Sequence, residues 1–417
     1  MKYRVTTLTG IAIASVIMAT ACDRPTAPGG AAAFDPGQRP DVDLAAPLMA
    51  YAKQLAAIPV AEALTGSLTF QAGTVHQSRE ASPTILVDDD GRQCRGAFTT
   101  IQAAVAAARA GATILVCPGT YHGSVDIVGP SKNGIQLIAQ GKGHSARGTA
   151  KGDDDEIDDE EIDDEDDARS DGKVVLAGNH TQENGFYLQD VSGVRIQGFT
   201  VRDFGDVPSS STVSGMGNNI LLLRAHGNTI SRNVLTGSDM MGIFLVSSGS
   251  NLVEHNVARD NDAKLYGSGC GIMLSAADAA GKALSANNVF RHNVSRGNPL
   301  AGIMIRSAGT GTVVSQNVLS NGGRLGLQVW DTQGALLEGN VMNNNRGLFT
   351  NLAAAQFAKG LDLQRSGGST VRRNIAFGNG PAAGSFDFFW DVAGVVSFDH
   401  NRCGTSQPAG LCKRGDD

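Results

Sequence analysis

From Val174 onward two short phrases alternate, and their spacing decides what the chain can become. One is a β-type run ending in Asn: TISRNV around Asn233, LVEHNV around Asn256, VFRHNV around Asn293, VVSQNV around Asn317, LLEGNV around Asn340, TVRRNI around Asn374 and SFDHNR around Asn401. The other is Gly leading an alternating strand: GIFLVS from Gly242, GIMLS from Gly271, GIMIRS from Gly302, GLQVW from Gly326 and GLDLQRS from Gly360. Successive Asn lie 23, 37, 24, 23, 34 and 27 residues apart, which is one coil of 23 with insertions. A period of about 20–25 with short β runs marks a solenoid. A leucine-rich repeat would need LxxLxLxxN in every unit, and β-branched residues stand there instead. The pattern therefore predicts an all-β parallel β-helix, each coil hydrogen-bonded to the next.

The same logic assigns the side chains. Ile243/Leu245, Ile272/Leu274, Ile303/Ile305 and Leu327/Val329 should stack inward in rows, each buried residue contributing roughly 1.5–3 kcal/mol. The repeated Asn should form a structural ladder. Gly before each long strand should permit the turn. Upstream, Thr84-Ile85-Leu86-Val87 opens the body. Residues 98–111 read as a helix with Ile101, Val105 and Ala108 on one face, Thr99 or Thr100 as cap and Gly111 as stop. That helix should cover the N-terminal end of the core. Residues 112–128 read as two strands around a Pro-Gly turn.

The N-terminus reads as an export signal: Lys2 and Arg4, an apolar run from Ile11 to Ala21, then Ala19-Thr20-Ala21-Cys22. The run is too short to span a bilayer. Cys22 after small residues resembles a bacterial lipobox, so the expectation is a cell-envelope lipoprotein, with plain secretion as the alternative. Residues 1–22 are then signal, 23–83 a tether with one helix predicted at Asp43–Ala57, and 84–417 the folded body. Export permits disulfides, and closeness in sequence pairs Cys94 with Cys117 and Cys403 with Cys412, leaving Cys270. Residues 153–167 hold 13 acidic residues and no basic one, so without them the net charge of −7 becomes +6. Such a run repels itself, which predicts a disordered acidic insert over 150–170. No cofactor is expected; calcium is the one ion the acidic residues would suit, although the insert lacks D-x-D-x-D-G spacing. No CxxC, phosphate loop or basic stripe appears, so zinc, nucleotide and nucleic-acid roles are excluded as leading readings.

The NxVxxN and GIxLxxS phrases resemble the right-handed β-helix repeats of the pectin lyase-like superfamily. Within it they resemble repeat proteins related to the accessory protein of nitrous oxide reductase maturation. FTTIQAAV and ILVCPGTY are similar to the N-terminal coil of pectin methylesterases. The resemblance implies right-handed coiling and carbohydrate work, by lyases, hydrolases, esterases, epimerases or non-catalytic binders. GSFDFFWDVAG around Asp387 is similar to the nucleophile phrase of pectin methylesterases, but it lies in the last coil and lacks the following Gly. No triple-Asp cluster of polygalacturonases and no Asp-Pro-His of alginate epimerases is present. Fold alone licenses no activity.

Strand alternation predicts one outward row: Met304 and Arg306, Gln328 and Trp330 with Asp331, Asp362 and Gln364 with Arg365, then Asp387 with Trp390 and Asp391. Trp330, Gln328, Asp331, Gln364 and Arg365 would bind sugar, the indole as an apolar face and the charges on hydroxyls or a uronate. Asp362 and Asp387 are the candidate carboxylate pair for hydrolysis. Arg306 is the candidate base for β-elimination, at a deprotonation cost on the order of 7 kcal/mol. A second outward row precedes the ladder: Arg232, His255, His292, Gln316, Gly339, Arg373 and His400. His255 and His292, one coil apart near Glu254, would be a metal pair. The leading expectation is a monomeric polysaccharide-binding or polysaccharide-processing protein, its glycan anionic if the basic body counts, meeting a membrane only through a lipid anchor. The alternatives are a non-catalytic scaffold and a metal-maturation accessory.

Overall fold

The computed structural model describes residues 84–141, 172–205, 217–262, 269–276, 279–346, 358–380 and 384–414. The export signal with Cys22, the tether and the acidic insert lie outside them. The described chain coils through three parallel sheets of 11, 10 and 10 strands. One coil shows the plan: Thr229–Ser231 in the first sheet, Val234–Thr236 in the second, Met241–Val246 in the third, then Leu252–Glu254 beneath the start. It is the right-handed parallel β-helix that the repeats imply, with a minor N-terminal helix.

The inward rows stack as read. Ile243, Ile272, Ile303 and Leu327 pair in register, as do Leu245, Leu274, Ile305 and Val329. All are fully buried. The glycines that lead these strands answer a different need from the one expected. Gly242 has no left-handed φ; a Cβ there would stand 2.5 Å from the Gly271 carbonyl oxygen, and one at Gly271 would stand 2.7 Å from that of Gly302. Close approach of successive coils, rather than a turn, excludes a side chain.

The asparagines do form a ladder, and each side chain bridges two coils. Asn256 Oδ1 accepts from the backbone N–H and the Nδ2 of Asn233, both at 3.0 Å. Its own Nδ2 donates to Ile230 O and to Asn293 Oδ1. The residue before each ladder Asn is left-handed: Arg232, His255, His292, Gln316, Arg373 and His400 have φ of 50–56°. Gly198 and Gly339 share the row and that backbone. Two more ladders flank it, Asn228–Asn251–Asn288 at one corner and Asn261–Asn298 with Asn345–Asn379 at the other.

At the N-terminal end the helix is shorter than the pattern suggested. It spans Ile101–Ala107, Thr100 Oγ1 caps it by accepting from Ala103 N–H, and Ala108 is already extended. Ile101, Ala104 and Val105 join the core. Residues 112–128 hold three strands, Thr113–Val116, Gly119–His122 and Val125–Val128, one for each sheet of the coil. Sulfur–sulfur bonds join Cys94 to Cys117 and Cys403 to Cys412, with Cα separations of 6.1 and 5.7 Å.

Candidate functional site

The third sheet carries the longest strands, so its outer face offers the largest array in fixed register. Near its C-terminal end Met304, Gln328 and Asp362 align in one column, and Arg306, Trp330 and Gln364 in the next. Towards the N-terminus the same face is apolar: Leu221, Phe244, Met273 and Met304 are buried in a second hydrophobic cluster. The polar residues are mostly covered as well. Arg306, Gln328 and Asp362 are 5%, 4% and 2% exposed. Trp330 and Gln364 are half-buried, and Arg365 is exposed.

These side chains act on one another. The Arg306 guanidinium lies 4.6 Å from the Trp330 ring centre, and that of Arg365, from the following coil, lies 4.8 Å from it. Such contacts contribute about 0.5–2 kcal/mol each. The faces expected to stack on sugar therefore already carry cations. Arg306 Nε donates to Gln328 Oε1 at 2.9 Å, and Gln328 Nε2 donates to Asp362 Oδ2 at 2.8 Å. Lys359 Nζ meets Asp362 Oδ1 at 2.8 Å while lying 3.7 Å over the Phe389 ring. Gln364 Nε2 adds two more bonds to the same carboxylate. Burial alone would raise the Asp362 carboxyl, but the Lys359 ammonium and the glutamine amides outweigh it and hold the group below the usual carboxylate range. A carboxylate so surrounded is ionised and has no proton to give. Asp331 pairs with Lys282 at 3.1 Å and accepts from Ser307 Oγ, and Asp391 accepts from Arg365 N–H.

Asp387 does not belong to this row. Phe389 stands opposite Asp362, and the Lys359–Phe386 pairing sets Asp387 opposite Gly360. Asp387 occupies the inward corner and ends a ladder: its Oδ1 accepts from Asn379 N–H and Nδ2, its Oδ2 from Gly404 N–H and Thr405 N–H. The carboxylate pair read from alternation is thus not a pair. Simple parity fails because the residue in the leading-glycine position and the one after it both turn inward. Trp390 follows Leu363 rather than Gln364, and its ring packs 5.5 Å from Phe398.

The second row also differs from its metal reading. The His255 and His292 rings are stacked, 4.8 Å between centres and 6° from parallel. Lone pairs of ring nitrogens lie in the ring planes, so two parallel rings cannot converge on one ion. Glu254 is held by Arg291 Nη2 at 2.7 Å. Burial lowers both imidazoles, His255 further by repulsion from His292 and His292 by Arg291. The stack is therefore a neutral one. Folded imidazoles titrating below the unfolded value near 6.5 favour the fold above that value and lose the advantage as pH falls through it. Wild type should thus lose stability between about pH 7 and pH 5 more steeply than a His255→Gln, His292→Gln double variant. Equal slopes in urea titrations at the two pH values would refute this. Among the described residues, the one group of three carboxylates close enough for an ion is Asp88, Asp89 and Asp90. Its Asp88 already accepts from the N–H groups of Gly91, Cys94 and Arg95.

One polar set on the outer face went unread in the sequence. Tyr187 hydroxyl donates to Gln189 Oε1 at 2.7 Å, Gln189 Nε2 to Asp190, and Arg224 grips both Asp190 oxygens at 2.8 and 2.9 Å. Burial pushes Tyr187 up to about 12. The alternation rule reaches these residues when it is extended to GFYLQ at Gly185.

A family model described as right handed beta helix region matches residues 173–341 and 266–404. No curated protein matches the chain. Among solved structures the chain is similar to an alginate lyase from Paenibacillus sp. str. FPU-7, at 16% identity over 76% of this chain and 95% of that one, TM-score 0.49. It is similar to PfbA, a surface adhesin of Streptococcus pneumoniae, at 11% identity over 73% and 75%, TM-score 0.49. The A-module of an Azotobacter vinelandii mannuronan C-5 epimerase gives 16% identity over 75% and 92%, TM-score 0.40.

Proposed function

The chain belongs to the right-handed β-helix family, and we propose that it uses the C-terminal end of its third sheet to bind polysaccharide. The observation that carries this reading is the half-buried Trp330 flanked by Arg306 and Arg365 and locked in register with Gln364. Trp330 acts as a spacer that fixes the guanidiniums, so Arg365 and Gln364 are the groups a glycan meets. Arg306, Gln328, Asp362 and Lys359 form the buried support that keeps them in place. A guanidinium donor at Arg365 beside the amide oxygen of Gln364, whose N–H groups are held by Asp362, suits hydroxyls and carboxylates. Asp362 and Asp387 are both filled by donors, so the reading is binding rather than turnover. Export to the cell envelope, through Cys22 or by secretion, would place the site where glycans are.

A glycan array with the full chain and an Arg365→Ala variant tests this. Arg365 is exposed, so its loss should spare the fold and weaken glycan binding at least tenfold, about 1.4 kcal/mol. A wild type that retains no glycan would sink the reading in favour of a scaffold with a protein partner. Trp330→Ala should instead cost about 2 kcal/mol in unfolding free energy, since both guanidiniums lose their ring. A urea midpoint equal to that of wild type would contradict the spacer role.

A further inference from the structure

At the corner between the second and third sheets, well before the glycan face, His180 and Asp239 meet across coils. His180 Nδ1 lies 2.8 Å from Asp239 Oδ1; the carboxylate is completely buried, whereas the imidazole is 38% exposed. The backbone is shaped around this contact. His180 is left-handed, with φ 56°, like the corner residues Asp203, Arg232 and His255. A Cβ at Gly205 would collide with the Asp239 carboxylate and stand 2.8 Å from His180 Cα, so the contact depends on a glycine there. Gly205 N–H in turn donates to the Gln182 carbonyl at 2.9 Å. The side-chain oxygen of Gln182 is buried and has no donor among the described residues. A buried acceptor left without a donor costs about 1–3 kcal/mol.

A buried carboxylate accepting from Nδ1 fixes the tautomer and turns the Nε2 lone pair outward, the arrangement that makes imidazole a general base. We propose that His180, positioned by Asp239, is the general base of a site that hydrolyses acyl esters. Water gives one proton to His180 Nε2. Its oxygen bonds to the acyl carbon, and the bond from that carbon to the ester oxygen breaks. The departing alkoxide takes the proton back from the imidazolium, leaving a carboxylic acid and an alcohol. Ester cleavage fits better than glycoside cleavage, which needs two carboxyl groups, whereas this corner supplies one base.

The test is hydrolysis of 4-nitrophenyl acetate by the full chain, with kcat and KM measured for wild type, His180→Gln and Asp239→Asn. His180→Gln should lower kcat about 100-fold. Asp239→Asn should lower kcat about tenfold at unchanged KM, because imidazole remains but in the wrong tautomer. His180→Asn, whose side chain suits the left-handed backbone, is the second variant should Asp239→Asn fail to fold; it should lower kcat as far as His180→Gln, about 100-fold. Wild-type hydrolysis no faster than buffer overturns the proposal. So does a His180→Gln rate within about twofold of wild type in a protein of unchanged circular dichroism.

Discussion

Replacing Asn293 by alanine should lower the unfolding free energy by about 4 kcal/mol. The residue is fully buried in the middle of the ladder. Its Oδ1 accepts from Asn256 N–H at 3.0 Å and from Asn256 Nδ2 at 3.1 Å, while its Nδ2 donates to Val253 O at 2.9 Å and Asn317 Oδ1 at 3.0 Å. Alanine removes one side of four bonds at once. The partners stay inside the stack, where water cannot replace the amide, and each orphaned group costs about 1–3 kcal/mol before relaxation. Because a solenoid is held by contacts between neighbouring coils, the loss should also appear as faster amide exchange in the coils of Asn256 and Asn317 than at the two ends. The control is Gln316→Gly, at the residue directly before ladder Asn317, left-handed with φ 53° and exposed. Glycine adopts that backbone freely, so stability should hold within about 0.5 kcal/mol. Similar losses for the two variants in urea titrations would mean that the corner backbone, not the amide ladder, holds the coils.

The ladder shows what a sequence discloses and what it conceals. Asn233, Asn256 and Asn293 were legible because each follows a β run at coil spacing. The two flanking ladders were equally written, as Asn251-Asn256-Asn261 and Asn288-Asn293-Asn298 at intervals of five. That interval is three strand residues plus a two-residue corner, and its meaning is plain only once the corners are known. Inward rows such as Ile243, Ile272 and Ile303 follow from alternation alone, since one face must be apolar. The candidate site was legible in membership but not in state. Alternation placed Gln328, Asp362 and Trp330 together, yet nothing in a period of two says that Asp362 is 2% exposed. Nor does it say that Lys359, which strict alternation would turn inward, stands on the outer face and holds the carboxylate. His180 and Asp239 are 59 residues apart and lie outside both repeated phrases. Their meeting depends on the path of two corners, which no local pattern carries.

Asp387 is where alternation misled, and its substitution separates structure from chemistry most sharply. Asp387→Ala should cost about 4 kcal/mol and leave glycan binding by the surviving folded protein unchanged. The carboxylate is 4% exposed and continues the Asn345–Asn379 ladder into the last coil. One oxygen serves Asn379 at 3.0 and 2.9 Å, and the other serves the N–H groups of Gly404 and Thr405, each at 3.0 Å. Only a group with two acceptor atoms can serve both sides, which explains why this ladder ends in Asp and not Asn. Asp387→Asn is therefore the sharper variant. Its amide nitrogen must face either Asn379 or the Gly404–Thr405 pair, and both present donors, so about half of the alanine cost should remain although shape is kept. The disulfide between Cys403 and Cys412 tethers the segment that holds Gly404 and Thr405, so the damage should be confined to the last coil and be visible first as its amide exchange. If Asp387→Asn instead kept native stability and abolished ligand binding, the carboxylate would be a functional group after all, and the corner assignment would have to be abandoned.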